Sequence, residues 1–310
     1  MRDITCQLGG ISSQSSLDQV IYAIIKSMNS SILVTKLFIP PYKTSFVTRP
    51  SLIENLNAGL DRKLTLVSAP AGFGKTSLLS EWIHALNNDS SKETNPGLNI
   101  GWVSLDEDDN DPIRFLTYLI KTFENGSVLS SQLTTSLLEI LRAPNPPQFK
   151  DILTSLLNET SAFQGKFILV LDDFHEIENP LINDTVNFLI EYLPTQLHLV
   201  ILTRDDPHFP LAKLRASGAM NELRAADLRF TVPEISEFLK SNLGIEPTTE
   251  EINALESHTE GWITGINLIA LSLQGQEDIR PALQNIRRRN SLILDFLLEE
   301  VLSQQPEDIP

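Results

Sequence analysis

Cysteine is almost absent from this sequence, in which Cys6 is the only thiol among 310 residues. A single cysteine excludes an internal disulfide framework and suits a reducing compartment. Long apolar runs are absent as well: no stretch approaches the roughly 18 residues that a membrane-spanning helix requires. The N-terminus also lacks the charged and apolar regions of a signal peptide. We therefore expect a cytoplasmic protein without a membrane partner.

Basic residues are the third shortage. The chain has 24 Lys and Arg against 40 Asp and Glu, so its formal net charge is -16. Nucleic-acid binding requires a basic face that neutralises phosphates, and we expect no direct nucleic-acid binding by this segment. The consecutive arginines at 287–289 are most simply a solvated hinge or helix end.

A loop of small residues stands between an apolar run that begins at Leu64 and a helical pattern that begins at Leu78. Its glycines let consecutive N–H groups face inward, and the helix N-terminus adds partial positive charge, which together form a cradle for phosphate oxygens. The spacing matches the phosphate-loop pattern G-x-x-x-x-G-K-S/T, except that Ala69 replaces the first glycine. Lys75 would reach the β- and γ-phosphates, and Thr76 would supply a hydroxyl to Mg²⁺. The residues predicted to bind nucleotide here are Pro70, Ala71, Gly72, Phe73, Gly74, Lys75, Thr76 and Ser77.

Apolar strands alternate with helical patterns between residues 32 and 230. This alternation predicts a parallel sheet covered by helices on both faces, so we assign the α/β class with the three-layer architecture of a P-loop NTPase. Residues 231–289 show helical patterns without a convincing strand and predict a small helical-bundle domain. Residues 1–31 predict a poorly ordered leader, with Met28 as an alternative start, and residues 290–310 predict the beginning of a third unit that the chain does not complete.

Two carboxylates end the apolar strand that begins at Phe167. Because ligands gather at the carboxyl ends of parallel strands, we expect Asp172 and Asp173 to face the same crevice as Lys75. Asp172 is the natural partner of Mg²⁺, and Asp173 could orient or deprotonate an attacking water. His175 nearby is expected to be structural or solvent-facing.

Arg204 follows a further apolar strand and is expected at the same crevice. A guanidinium stays charged and matches phosphate geometry, so this arginine could contact the γ-phosphate and report its presence. The acidic run at 106–109 leaves two interpretations open, a solvated loop or a role near Mg²⁺.

With these motifs in order, the chain resembles the N-terminal part of the MalT-like, LuxR-type large ATP-binding regulators, within the signal-transduction ATPases with numerous domains (STAND). The resemblance runs from Ile32 to the end of the chain. It depends on Thr35-Lys36-Leu37, Val47-Thr48-Arg49, the phosphate loop at 70–76, the segment at 101–106 with Asp109-Asn110, Asp172-Asp173, Thr203-Arg204, and Glu260-Gly261-Trp262-Ile263-Thr264-Gly265.

The resemblance implies a switch with ADP held at rest and exchanged for ATP on induction. ATP binding would permit self-association, and slow hydrolysis would reset the switch. It also implies that Val47 and Arg49 border the adenosine and that the helical domain closes over the nucleotide around Gly261 and Trp262. The last residues, 290–310, would begin a truncated winged-helix domain. The inducer-binding and DNA-binding domains are expected outside this chain, which argues against transcriptional activation by this polypeptide alone.

Two other hypotheses remain open. One is a turnover P-loop ATPase or kinase, although the sequence indicates neither an arginine-rich lid nor a second substrate pocket. The other is an interaction fragment that binds a homologue and no longer cycles. A regulatory switch that binds ATP or ADP with Mg²⁺ is the hypothesis that accounts for the most motifs.

Overall fold

The computed structural model describes residues 32–42, 47–88, 98–144, 148–244 and 246–273. The chain divides into two compact units, Met1–Thr35 and Lys36–Pro310, and only residues 32–35 of the first are described. The predicted leader, the end of the helical domain and the winged-helix segment therefore lie outside the described residues. The phosphate loop and the strand-end carboxylates belong to the second unit.

A five-stranded parallel sheet forms the centre of the second unit, with strand order β2-β3-β4-β1-β5. The strands are β1 (Leu64–Ser68), β2 (Leu98–Ser104), β3 (Lys166–Asp172), β4 (Leu197–Thr203) and β5 (Met220–Arg224). Strands β1 and β4 are buried along their whole length, as expected of strands that are covered on both faces. The predicted α/β parallel sheet is confirmed.

Helices connect successive strands and cover the sheet. They are α1 (Pro50–Gly59), α2 (Lys75–Asn88), α3 (Pro112–Asn125), α4 (Ser131–Leu141), α5 (Phe149–Ala162), α6 (Pro180–Tyr192), α7 (Leu211–Ala216) and α8 (Ala225–Leu228). Short 3-10 turns at Glu107–Asn110 and Phe174–Glu176 follow β2 and β3. No described helix is long and apolar enough to cross a membrane.

Local signals set the helix starts. The Asp111 carboxylate accepts from the N–H groups of Ile113 and Arg114 at 2.8 and 3.0 Å, which satisfies two donors that the first turn of α3 leaves open. Pro112 occupies the first helical position, where no N–H is needed. Asn179 caps α6 in the same way, with its side-chain oxygen 2.9 Å from the N–H of Leu181.

Three further helices follow the sheet: α9 (Val232–Leu243), α10 (Thr249–Thr259) and α11 (Ile263–Leu273). They share an apolar cluster that is separate from the core between the sheet and its helices, and Val47 of the N-terminal segment packs into it. The helical character predicted beyond residue 231 is present over the described part of that region. The boundary between the two predicted domains at residue 230 remains a prediction.

Candidate nucleotide-binding site

The phosphate loop connects β1 to the N-terminus of α2. Gly72 and Gly74 have φ angles of +76° and +78°, in the left-handed region that other residues adopt at a cost. The helix begins at Lys75, directly after these turns, so its N-terminal N–H groups face the end of the loop. The loop predicted from the glycine and lysine spacing therefore has the backbone that an anion cradle requires.

The Lys75 ammonium lies over this loop and is largely buried. Its Nζ donates to the carbonyl oxygens of Ala69 at 2.7 Å and Pro70 at 3.2 Å. Ala69, which replaces the first glycine of the pattern, continues the sheet by donating its N–H to the Thr203 carbonyl at 3.2 Å. Its small side chain fits this buried position, so the departure from the pattern leaves the loop intact.

Asp172 and Thr76 form a pair at the base of the site. The Thr76 hydroxyl donates to Asp172 Oδ2 at 3.0 Å. Asp172 is 2% exposed, and burial together with the charge of Asp173 raises its pKa to about 7, despite the opposing effects of Thr76 and Lys75. A hydroxyl beside a buried carboxylate fits Mg²⁺, because the cation would offset the cost of burying that charge.

Asp173 and Arg204 both line the same cavity as Lys75. Strand β4 lies between β1 and β3, so Arg204 at the end of β4 stands between the phosphate loop and the Asp172 strand. Asp173 has φ of +55°, an unusual conformation for a residue with a side chain, and backbone strain of this kind often accompanies functional sites. The strand order thus brings the three sequence motifs to one place.

A cavity of about 640 Å³ opens above the phosphate loop, a volume typical of small-molecule sites. The predicted site residues that line it are Val47, Arg49, Ala71, Gly72, Phe73, Gly74, Lys75, Thr76, Ser77, Asp173 and Arg204. Phe230, Phe238 and Asn242 also line it but were not predicted, because a lone aromatic or amide in a helical region carries no sequence signal. Pro70, Asp172, Gly261 and Trp262 are not among the lining residues.

Arg49 lines this cavity, but its guanidinium is engaged by the protein. Nε donates to Glu234 Oε1 at 2.8 Å, and Nη1 and Nη2 donate to the carbonyls of Leu228 and Arg229 at 2.9 and 2.8 Å. The guanidinium also lies 4.8 Å from the centre of the Phe230 ring. The predicted border with adenosine would therefore involve the backbone or stem of Arg49, since its charged head holds α8 and α9 in place.

Gly261 and Trp262 lie beside the cavity and are not among the residues that line it. The Gly261 carbonyl accepts from the N–H of Phe230 at 2.8 Å, and a Cβ on Gly261 would lie 2.6 Å from the Phe230 carbonyl oxygen. Gly261 is thus required for close backbone packing beside the cavity. The Trp262 indole donates to the carbonyl of Ala71 at 3.1 Å, on the phosphate loop itself.

The acidic run after β2 is not a solvated loop throughout, because one of its carboxylates is buried. Asp109 is fully buried, where its Oδ2 lies 2.5 Å from Lys36 Nζ and its Oδ1 lies 3.0 Å from Arg114 Nε. Asp109 also accepts the N–H of Asp106 at 2.9 Å, which closes the turn. The carboxylate is therefore committed to an internal ion-pair network.

His175 is mostly buried, so of the two expected environments the structural one applies and not the solvent-facing one. Burial first, and then the positive charges of Arg204 and Lys75, lower its pKa to about 4. Nε2 lies 3.2 Å from Glu176 Oε1, but neither ring nitrogen makes a well-formed hydrogen bond among the described residues. The imidazole is consequently neutral at neutral pH.

Comparison with known proteins identifies relatives over most of the chain. The HTH-type transcriptional regulator MalT of Cronobacter sakazakii is 31% identical over 286 residues, which cover 89% of this chain and 29% of that protein. MalT of Yersinia pestis is 31% identical over 275 residues, with coverage of 88% and 29%. The serine/threonine-protein kinase PknK of Mycobacterium tuberculosis is 30% identical over 264 residues, with coverage of 85% and 23%. The chain spans less than a third of the length of these curated relatives.

Likeness to solved structures is weaker. A STAND protein with a tetratricopeptide repeat sensor from Pyrococcus horikoshii aligns with a TM-score of 0.49 and 16% identity over 79% of this chain and 32% of that chain. The Aeropyrum pernix ORC1 protein in complex with DNA aligns with a TM-score of 0.49 and 15% identity over 83% and 67%. The α/β fold is evident from the strand order and from the phosphate loop between β1 and α2. No family model matches the chain.

Proposed function

We propose that this chain is an ATP/ADP-binding signalling switch. It is related to MalT over almost nine-tenths of its own length, which confirms the resemblance inferred from the motifs. In this proposal it is the regulatory NTPase core of a larger transcription regulator. The observation that carries the proposal is the cavity, which is lined both by the phosphate loop and by residues of the following helices, such as Phe238 and Thr264. A ligand that fills it would contact both parts of the chain.

The phosphate end of the proposed site combines the loop N–H groups with Lys75. An ammonium beside inward-facing amides is suited to the β- and γ-phosphates of a nucleotide. Thr76 and Asp172 would hold Mg²⁺, which supplies positive charge to the phosphates when bound. The apolar part of the cavity, with Val47, Phe230 and Phe238, is suited to the base.

Hydrolysis is proposed as the reset of the switch. Asp173 lines the cavity and would orient the attacking water, while Arg204 would contact the γ-phosphate and stabilise the charge that develops on it. Loss of the γ-phosphate would remove that contact and change which arrangement of the helical domain is stable. We propose that the sheet domain spans residues 32–230 and that the helical domain spans residues 231–289.

The proposal includes self-association in the ATP-bound state and no direct nucleic-acid contact by this segment, consistent with its net charge of -16. The inducer and DNA-binding sites are assigned to parts outside this chain. MalT is named as an HTH-type transcriptional regulator, and the matched region is 29% of it.

Single-turnover hydrolysis tests the assignment. Wild-type protein loaded with ATP and Mg²⁺ is expected to accumulate bound ADP at less than about one turnover per second, below the usual range of dedicated enzymes. The Asp173→Asn variant is expected to bind ATP but retain it unhydrolysed for at least tenfold longer, on the order of the loss of a water-orienting group. The measurement is chromatography of the nucleotide released after quenching.

Asp184→Asn is the matched control, because Asp184 is an exposed carboxylate on α6. It should hydrolyse ATP as the wild type does. Several turnovers per second by the wild type would favour a turnover enzyme over a switch. Hydrolysis by Asp173→Asn at the wild-type rate would remove Asp173 from the mechanism.

A further inference from the structure

Two hydrogen-bonding contacts join the start of α11 to consecutive carbonyls of the phosphate loop. Trp262 Nε1 donates to the Ala71 carbonyl at 3.1 Å. The Thr264 hydroxyl donates to the Gly72 carbonyl at 2.9 Å, and the Thr264 N–H lies 3.3 Å from the same oxygen. These contacts join parts of the chain that are distant in sequence, since Trp262 and Ala71 are 191 residues apart.

Peptide geometry gives these bonds a consequence on the other side of the loop. In a planar trans peptide the C=O and N–H groups point in opposite directions. When the Ala71 carbonyl faces Trp262, the N–H of Gly72 must face away from it. When the Gly72 carbonyl faces Thr264, the N–H of Phe73 must face away as well. Gly72 and Phe73 both line the nucleotide cavity.

The contact is tightly packed. A Cβ on Gly72 would lie 2.5 Å from Thr264 Oγ1 and 2.8 Å from Trp262 Nε1. The indole is itself held against Gly265, where an added Cβ would lie 2.6 Å from the ring atom Cε3. The indole N–H is thus held against the loop by packing on both sides. Glycine is required at position 72 both by the positive φ and by this close approach of Thr264 and Trp262.

The bonds also stabilise α11. The Trp262 carbonyl accepts from the N–H of Ile266 at 3.0 Å, so Trp262 is the N-cap residue and the N–H of Thr264 is one of the donors that the helix leaves open. The Gly72 carbonyl approaches that donor. Docking of the helix and the shape of the phosphate loop therefore depend on each other.

We propose that Trp262 and Thr264 are positioning residues for the phosphate loop. By holding the carbonyls of Ala71 and Gly72, they keep the N–H groups of Gly72 and Phe73 in the orientation that a phosphate anion requires. Docking of α11 therefore increases the affinity for a nucleoside diphosphate, and a bound nucleoside diphosphate favours the docked α11 by the same factor. The inference rests on the proposed nucleotide site and assigns a regulatory role within it to residues outside the sheet domain.

The test is isothermal titration of ADP with Mg²⁺ into four variants and the wild type. Thr264→Val keeps the branched shape but lacks the hydroxyl, whereas Thr264→Ser keeps the hydroxyl. Trp262→Phe keeps an aromatic ring but lacks the N–H donor. Thr259→Val is the matched control, because its hydroxyl donates to the Leu255 carbonyl at 2.8 Å within the same helical region and not to the loop. Melting of each variant without nucleotide checks the fold.

Thr264→Val and Trp262→Phe are expected to weaken ADP binding about five- to tenfold each, the effect of one lost hydrogen bond at a site that stays folded. Thr264→Ser and Thr259→Val should stay within about twofold of the wild type. The inference is overturned if Thr264→Val and Trp262→Phe bind ADP as tightly as the wild type, or if Thr259→Val weakens it equally. If the wild type itself does not bind ADP, the proposed function fails instead.

Discussion

His198 illustrates, at the scale of single residues, how burial determines protonation in this fold. Its ring is buried, with Nδ1 2.8 Å from the Arg62 carbonyl and Nε2 3.0 Å from the Thr65 hydroxyl. A carbonyl can only accept, so we assign the proton to Nδ1, and Nε2 then accepts from Thr65. Burial, as the largest cause, lowers the pKa of His198 to about 4. The imidazole is therefore neutral in the folded protein.

This lowered pKa predicts acid sensitivity. The unfolded chain binds a proton near pH 6.5 and the folded chain near pH 4, so the stability that neutral His198 contributes is complete above about pH 6.5 and is lost as the pH falls towards 4. We expect the stability difference between the wild type and His198→Gln to shrink by roughly 1 kcal/mol per pH unit between pH 6 and pH 5. Urea unfolding at each pH measures it. A difference that does not change with pH would contradict the assignment.

The phosphate-loop residues could be predicted individually because glycine, lysine and threonine at fixed spacing determine a local backbone. The role of the Arg49 guanidinium could not be predicted in this way. Its acceptors are Leu228, Arg229 and Glu234, which lie about 180 residues later in the chain. Nothing near Arg49 in sequence indicates these partners.

At the scale of secondary-structure elements, the central strands could be predicted from the sequence because they are continuous apolar runs. Strand β5 was not predicted, because its sequence Met-Asn-Glu-Leu-Arg is mostly polar. It lies at the edge of the sheet, and the side chain of Asn221 donates to the Asn55 carbonyl at 3.1 Å. An edge strand with polar partners lacks the signal that a central strand carries.

The turn at Glu107–Asn110 has a structural role that the sequence did not predict. Asp109 holds Lys36 and Arg114, and the Asn110 carboxamide oxygen accepts the N–H groups of Glu178 and Asn179 at 2.8 and 2.9 Å. The turn therefore joins the end of β2 to the segment after β3. Its acidic composition left open a solvated loop or a role near Mg²⁺, because Lys36, the buried cation that pairs with Asp109, lies 73 residues away in sequence.

Asp109→Asn is expected to destabilise the protein by about 3 kcal/mol, since it removes a buried carboxylate that pairs with the buried ammonium of Lys36 and with the partly exposed guanidinium of Arg114. Asp108→Asn is the control: Asp108 is 76% exposed, and its 3.5 Å contact with Arg114 should contribute less than about 0.5 kcal/mol. Urea unfolding measures both, and ADP affinity measured on folded protein should not change. An Asp109→Asn protein of normal stability and impaired Mg²⁺-dependent ADP binding would instead place this turn at the metal.

At the scale of the whole molecule, the order of the motifs along the chain predicted the components of the site, and the parallel topology explains why they meet. The docking of α11 on the phosphate loop could not be predicted, because it depends on side-chain bonds between the sheet region and the helices. Val47 adds a further connection, since it lies before the first strand and packs into the helical cluster. The nucleotide cavity is thus formed by both parts of the chain.

The central claim is that this chain binds a nucleotide through Lys75, and calorimetric titration with ADP and Mg²⁺ tests it most directly. We predict one ADP per chain for the wild type, at least about tenfold weaker binding for Lys75→Ala because a charged phosphate contact is lost, and unchanged binding for the exposed control Lys213→Ala. Absence of ADP binding to folded wild-type protein, or equal affinity in Lys75→Ala, would contradict the account.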